Sequence, residues 1–600
     1  MAVNDGAGGR SSAQWESSEI HGVDLGTTFS CLSWVDRETG DAVVSAGAAG
    51  SRLTSSVVLF GKDGQVHVGP TAPQRERNEP ARAVATAKRH MADPDWKYRI
   101  DGKAYTPTEI AAIILRALLN DHGRDSGDQV REVVIACPER FGEAARAATV
   151  DAGMIAGLRS VEIISEPLAA VLPQVIADPR DQVFLVYDLG GGTFDATLVR
   201  ISAGAVTVIS AEGIRRLGGR DWDLRIVDYL ADRFRQLTGC PVDPLDDVHE
   251  RAALWRQAEQ LKHALSTRSS ACVRVTQQGL SADITLDRTR FDELTHDLLE
   301  RTFDRVATLV DIGRERGCVD IDHLLLVGGS SRMPQVAKGL RRRFGLTPRL
   351  GEPELAVAKG AAIYGLKLTV DRRLWAWARA QGGGVPAPSG RVPRGEAPDG
   401  ADYLPVPRDV LRSACVPVAR ELGLAPAMVE RLGGLVITDV TSHSYGIIAT
   451  LDGPGAANGG SSQALSAGAG PGAPAVAEVW NLILAQETLP ATRTQTFYTV
   501  VDDQREVDIQ IVENSVRDKR VDRSAVSSPL TTLTLTMSRG LPARSAVEVE
   551  FNLARDGRLY VTGRDLAGGA TNACRVIRAA HMSPAAIVAA RERLAALHIQ

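Results

Sequence analysis

Two stretches of this chain follow one plan: an apolar run, an aspartate at its end, then a turn of glycine and threonine. They are Gly22-Val-Asp-Leu-Gly-Thr-Thr28 and Val186-Tyr-Asp-Leu-Gly-Gly-Gly-Thr-Phe-Asp195, about 160 residues apart. A third, Leu324-Leu-Leu-Val-Gly-Gly-Ser-Ser-Arg-Met-Pro334, ends its apolar run in Gly-Gly. Glycine in such turns lets backbone N–H groups approach phosphate oxygens with no Cβ in the way. Asp24 and Asp188 suit Mg²⁺ held through water, and the threonine hydroxyls add donors. One such turn is weak evidence. Two matched turns and a third Gly-Gly turn suggest a duplicated fold closing on one nucleoside triphosphate.

The segments around these turns must position them. From about 19 to 368, short apolar runs such as Val133-Val-Ile-Ala and Phe184-Leu-Val-Tyr alternate with amphipathic helical patterns. Pro107 to Leu119 carries a helix start signal and helical periodicity. This alternation predicts an α/β domain. Residues 1–18 read as a disordered tail. The span 369–434 reads as a Gly/Pro-rich insertion, flexible over 381–400, where half the residues are Gly or Pro, with short helices possible over 408–431. From 435 the period becomes two: Val507-Asp-Ile-Gln-Ile, Leu533-Thr-Leu-Thr-Met and Val547-Glu-Val-Glu-Phe alternate strictly. That pattern predicts an antiparallel sheet domain over 441–580. A loop is expected at 452–475, and a short helix at the end, with Ser583 as N-cap and Pro584 behind it.

Bulk properties narrow the function. Six hundred residues exceed one hydrophobic core, so two or more domains are expected. Net charge is −4, which argues against a dedicated nucleic-acid binder, and Arg341-Arg342-Arg343 reads as a solvated helix end. Seven cysteines without CxxC spacing predict buried thiols rather than disulfides or zinc. Neither a signal peptide nor an 18-residue apolar run is seen, so a cytoplasmic protein with no membrane partner is expected.

At these residues the chain resembles the seventy-kilodalton heat-shock chaperones, the DnaK family. The resemblance covers about 19–368 and 432–580. It extends to Gly102-Lys-Ala-Tyr-Thr-Pro-Thr-Glu-Ile110, Ile164-Ser-Glu-Pro-Leu-Ala-Ala170, Gly360-Ala-Ala-Ile-Tyr-Gly365 and Asp439-Val-Thr-Ser-His-Ser-Tyr-Gly-Ile447. It implies an actin-like, ribonuclease H-like duplicated ATPase domain using ATP and Mg²⁺, a linker at 435–440, and a β-sandwich that grips extended segments of unfolded polypeptides. It further implies that Lys88 is the catalytic lysine. Asp24 and Asp188 would place Mg²⁺ and water; Glu166 and Thr193 would orient water and phosphate; Asp195 would complete the acidic cluster. Gly26, Thr27, Thr28, Gly190, Gly191 and Gly192 would contact phosphates. Glu259, Lys262 and Ser266 would contact adenosine, sharing a helical face at i, i+3, i+7. Gly328, Gly329, Ser330 and Arg332 would close the other side of the base. His263 either stacks on adenine or is idle. Ile447, Phe497 and Val507 would form the peptide pocket, with Leu451 a candidate for its arch.

Four departures from the family pattern matter. The 369–434 insertion is expected to lower the effective concentration of linker docking. Glu162 replaces an arginine near the linker, so like charges with Asp439 are expected, and a standard J-domain co-chaperone is in doubt; any nucleotide-exchange factor would be non-standard too. The 452–475 loop lengthens the peptide arch. The helical lid is reduced to about 584–598, which predicts faster peptide exchange. The leading expectation is an ATP-hydrolysing chaperone, with stress response implied by the resemblance. The alternatives are an ATPase switch with one dedicated partner, a β domain that binds nothing, and a small-molecule kinase, which Lys88 and the β domain argue against.

Overall fold

The computed structural model describes residues 20–47, 50–69, 79–91, 93, 95–318, 320–349, 351–381, 405–441, 443–451, 463–464, 477–499, 502–526, 529–554, 559–569, 571–575 and 582–599. The expected tail at 1–18, nearly all of the 381–400 segment and most of the 452–475 loop lie outside them.

Two six-stranded sheets repeat one design. In the first, the Ile20–Leu25 strand lies between Glu132–Cys137, which it pairs in parallel, and Phe29–Val35, which it pairs antiparallel. In the second, Gln182–Leu189 lies between His323–Val327, in parallel, and Phe194–Ser202, antiparallel. Each central strand carries its aspartate near the C-terminal end, and the following glycine turn closes the antiparallel hairpin. The central strands are buried on both faces, which explains their unbroken apolar runs.

Two helices, Glu166–Ala177 and Ala356–Ala380, join the sheets in one core. Val134 and Ile164 of the first sheet, Val186 and Leu325 of the second, and Leu168, Ala361 and Leu366 of the helices belong to it. The helices cross so closely that a Cβ at Gly360 would sit 1.6 Å from the Ala169 carbonyl oxygen. The Pro107–Ser126 helix starts at a capping box: Thr106 Oγ1 accepts from the Glu109 amide, and Glu109 Oε2 accepts from the Thr106 amide.

The domain boundary expected at 368 falls inside the Ala356–Ala380 helix. Nor is the described part of the insertion a loose tether. Arg408–Leu422 and Pro426–Gly434 are helices, and their Leu411, Ala414, Val418, Val429 and Leu432 pack with Leu374 and Trp375 in the same core. Leu435 is buried there too, so the chain enters the 435–440 segment from a fixed point. Val436–Thr438 then adds in parallel to Ala205–Thr207 as the edge strand of the second sheet.

Ten strands from Ser444–Leu451 to Thr571–Arg575 form one connected array. Alternate residues point inward: the Ala546–Leu553 and Leu559–Asp565 strands alternate strictly between buried and half-buried positions. Their inner side chains meet those of Glu506–Asn514 in one core, where a Cβ on Gly563 would lie 2.8 Å from Ile509 Cδ1. The final helix, Pro584–Ala595, packs against the Pro107–Ser126 and Glu143–Ala156 helices of the N-terminal unit, not over the β strands. Ser583 Oγ caps it, Ala590 and Leu594 are buried there, and His598–Ile599 pairs in parallel with the Gln65–Val68 strand.

Candidate functional site

A cleft of about 960 Å³ opens between the two halves. Its lining contains Asp24, Gly26, Thr27, Thr28, Lys88, Glu166, Asp188, Gly190, Gly191, Thr193, Glu259, Lys262, His263, Ser266, Gly328, Gly329, Ser330 and Arg332. Residues from six elements far apart in sequence thus converge on one space. The two Asp-Leu-Gly turns face each other across it, for a Cβ at Gly191 would fall 2.0 Å from Thr28 Oγ1. Gly192 lies just outside the lining, packed under Arg89 and Thr27. Asp195 lies behind the floor, buried, with one carboxylate oxygen lacking a hydrogen-bond partner.

Lys88 is held on a short 3₁₀ turn, Ala87–His90, and donates to Glu166 Oε1 at 2.6 Å. Glu166 opens its own helix after the Ser160–Ser165 strand, so strand and helix together aim it at the cleft. Burial pushes the Lys88 ammonium down, but Glu166 and Asp24 outweigh that and hold its pKa above the usual value. The carboxylates move the other way. Burial, then the Glu166 charge, lifts Asp24 to about 7 against the pull of Lys88. Asp195 reaches about 7 by burial and Glu166, and Asp188 is raised well above the carboxylate range by burial and by Glu166, Asp195 and Asp24. These are the marks of an anionic cluster short of positive charge. The described residues contain no group of three or more His, Cys, Asp or Glu arranged to grip a metal directly. Two opposed carboxylates beside hydroxyl-rich turns fit Mg²⁺ held largely by water and phosphate oxygens.

At the other end, Lys262 donates to Asp223 Oδ2 at 2.7 Å and to the Gly219 carbonyl at 3.0 Å. Gly219 is required there, since its Cβ would meet Ser330 Oγ at 2.2 Å. Arg332 forms a two-pronged pair with Glu354. The sequence reading missed Asp223, Arg220 and Trp255. It also missed Arg89, which pairs with Asp221 at 2.9 Å beside the second turn. The Gly218-Gly219 step followed by two aspartates was a signal that could have drawn attention to this segment.

Two expectations are corrected. Glu162 does not face Asp439; Arg372 lies 3.8 Å from it and 3.0 Å from neighbouring Glu132. Asp439 is half-buried beside Arg146, Ser165 and Glu139, and desolvation raises its pKa against the pull of Arg146. Ile447, Phe497 and Val507 do not line an opening: each is fully buried in the core of the β unit, because they occupy inward positions of paired strands. Leu451 lies at the end of the Ser444–Leu451 strand, and its side chain is outside the described residues.

A two-lobed α/β unit with paired sheets, bridging helices and opposed Asp-Gly-Thr turns has the actin-like ATPase fold. Residues 20–373, well over half of the chain, match the family described as Hsp70 protein. The chain therefore belongs to the Hsp70 family, whose members are ATP-dependent chaperones that bind ATP with Mg²⁺ and act on unfolded polypeptides with co-chaperones. Among the described residues no helix is long and apolar enough to cross a membrane.

Proposed function

We propose that the cleft binds ATP and hydrolyses it, and that the nucleotide controls how the C-terminal β unit sits on the N-terminal one. The observation carrying this reading is the convergence of both Asp-Leu-Gly turns on a cleft that also holds the Lys88–Glu166 pair. In the reaction, water attacks the γ-phosphorus, and the bond to the bridging oxygen breaks as ADP leaves. Lys88 supplies positive charge where the transferred phosphoryl oxygens become more negative. Glu166 fixes that ammonium, and Thr193 orients the water. Asp195, behind the floor, acts as a positioning charge. Mg²⁺ near Asp24 and Asp188 would neutralise the phosphate chain.

The coupling route is short. Asp195 and Glu139 interact electrostatically, and Glu139 in turn senses Asp439 at the end of the Val436–Thr438 strand. From Asp439 the chain passes straight into the β unit, where its carbonyl accepts from the Leu489 amide at 2.8 Å. In this reading the β unit is a sandwich that binds extended apolar polypeptide, and the docked arrangement described above is the ATP-favoured, weakly binding one. Peptide would then shift nucleotide affinity by the same factor that nucleotide shifts peptide affinity. A J-domain co-chaperone and an exchange factor would belong to the cycle in a non-standard form, in a cytoplasmic setting. One observation favours the second reading, a switch with a single dedicated partner: Ile447, Phe497 and Val507 are sealed from solvent.

The test loads the purified chain, in ADP, with a fluorescent apolar heptapeptide and follows its anisotropy after ATP is added. Release by ATP in the wild type, kept in Lys88→Ala while steady-state hydrolysis falls by about 100-fold or more, supports the chaperone cycle. Hydrolysis with no peptide bound moves the choice to the dedicated-partner switch. Unchanged hydrolysis in Lys88→Ala refutes the catalytic assignment.

A further inference from the structure

The turn that carries Lys88 has little of its own to hold it. Ala87–His90 is a four-residue 3₁₀ turn. Thr86, just before it, makes no capping hydrogen bond with its side chain, and its backbone is left-handed at φ 61. A β-branched residue rarely adopts that conformation, so the turn is held by its surroundings rather than by its own preference. Ala87 and Met91 are buried in the core of the first half with Val23, Leu25 and Ile110, which fixes the base of the turn. Arg89 adds an anchor in the other half.

Arg89 Nη2 donates to Asp221 Oδ2 at 2.9 Å and to the Gly191 carbonyl at 3.4 Å. Both acceptors belong to the second half. Gly191 lies in the second Asp-Leu-Gly turn, and Asp221 lies in the first turn of the Gly219–Thr238 helix, whose Trp222 and Ile226 are buried in the core of that half. Both acceptors are also tied down: Asp221 Oδ2 accepts from the Gly218 amide at 2.8 Å, and the Gly191 carbonyl accepts from the Arg220 amide at 3.0 Å. The Arg89 side chain is only 15% exposed and that of Asp221 28%, so solvent screens this pair less than a surface one. A Cβ at Gly192 would lie 2.6 Å from Arg89 Nε, so the second turn must be glycine for the arginine to pass. Lys88 lines the cleft, whereas Arg89 stands outside the lining. Neighbours on a 3₁₀ turn leave it about 120° apart, which lets one face the cleft while the other grips the opposite half.

We infer that Arg89 is a positioning residue for hydrolysis: it locks the 87–90 turn to the second half, so that Lys88 is in its catalytic position only while the two halves are closed. The inference rests on the ATPase reading of the cleft and deepens it. Opening the halves parts Arg89 from Asp221 and Gly191, and the turn is then free to relax from the left-handed Thr86 with Lys88 on it. Arg89 thus acts through Lys88 and through closure, not by touching the reacting atoms.

Single-turnover ATP hydrolysis and ATP affinity, measured separately on the full chain, test it. Arg89→Gln should slow hydrolysis by about 10-fold or more, as loss of a charge-assisted hydrogen bond does, while ATP affinity stays within about 3-fold of wild type. Arg89→Lys, which keeps the charge without the planar fork, should recover part of the rate. Asp221→Asn should resemble Arg89→Gln, and the two together should cost no more than either alone. In a Lys88→Ala background Arg89→Gln should have no further effect, because the arginine acts through that lysine. Wild-type hydrolysis in Arg89→Gln overturns the positioning role and leaves the ATPase reading standing. So does a further 10-fold loss, about as large as in the wild type, in the Lys88→Ala background, or a fall in rate matched by an equal fall in affinity. Absence of ATP hydrolysis by the wild type overturns the ATPase reading itself, together with the role built on it.

Discussion

Gln486 is the side chain on which docking of the β unit can be weighed. It is buried, its backbone is left-handed with φ 67, and it reaches across to the edge of the second sheet. Its Oε1 accepts from Ser210 Oγ at 2.9 Å, and its Nε2 donates to the Ala211 carbonyl at 2.6 Å. Gln486→Ala removes both bonds while the backbone keeps its shape, since alanine and glutamine meet a similar penalty at positive φ. Each neutral hydrogen bond contributes about 1 kcal/mol net, so docking should weaken by about 2 kcal/mol, or about 30-fold. Hydrogen exchange reads this directly. The Val436 amide donates to the Gly204 carbonyl at 3.0 Å, and Val436–Thr438 are laddered to Ala205–Thr207. Exchange protection of these amides should fall by about that factor, while the Val507, Ile509 and Ile511 amides inside the β unit keep theirs. A double-mutant cycle with Ser210→Ala should show the two residues coupled. Unchanged protection at 436–438 would refute the argument. So would an equal loss inside the β unit, which would mean that the substitution unfolds it rather than undocks it.

Two further outcomes follow from the site and the core. Asp24 and Asp195 hold protons up to about 7, far above the ordinary carboxylate value of 3.8, so the folded protein binds more protons than the unfolded chain in that window. Their contribution is full below about 4 and is lost as pH rises through about 7; nucleotide-free melting temperature should decline between pH 5 and pH 7.5, and Asp195→Asn should flatten the decline. A steeper decline in Asp195→Asn would contradict the sign. Gly360→Ala places a methyl 1.6 Å from the Ala169 carbonyl oxygen, forcing the two bridging helices apart. That should cost at least about 3 kcal/mol in urea melts, the upper range for overpacking, and a loss under 1 kcal/mol would show that the crossing is not rigid.

The two Asp-Leu-Gly turns that meet in the cleft were legible because their residue types are dictated by close approach. Where two turns come near enough for Gly191 to touch Thr28, only glycine and small hydroxyl residues fit, and they leave a signature in the sequence. The partners of long side chains leave none. Glu162 read as a like-charge neighbour of Asp439 because both belong to a region near the linker. Arg372, which serves both Glu162 and Glu132, lies 240 residues beyond Glu132, and no local pattern announces it. The insertion shows the same division. Leu411, Ala414, Val418 and Leu422 recur at helical spacing, so a helix was readable. The surface it covers, on Leu374 and Trp375, was not.

The β unit exposes a deeper limit. Alternation at period two marks which face of a strand points inward, and Ile447, Phe497 and Val507 all sit on that face. An apolar peptide groove and an apolar core ask for the same residue types at the same spacing, so the pattern cannot separate them. Burial does: these three are closed off by their neighbours in the docked arrangement. Peptide binding through them would therefore require the strands around them to part. The docked β unit is tied to the N-terminal unit by Gln486, by Arg517 to Glu212 at 3.0 Å and by Glu513 to the Glu143 amide at 3.3 Å. If those ties also hold the strands together, weakening Gln486 should raise peptide affinity as it lowers linker protection. If they do not, the two quantities will move independently, and the peptide site lies elsewhere on the β unit.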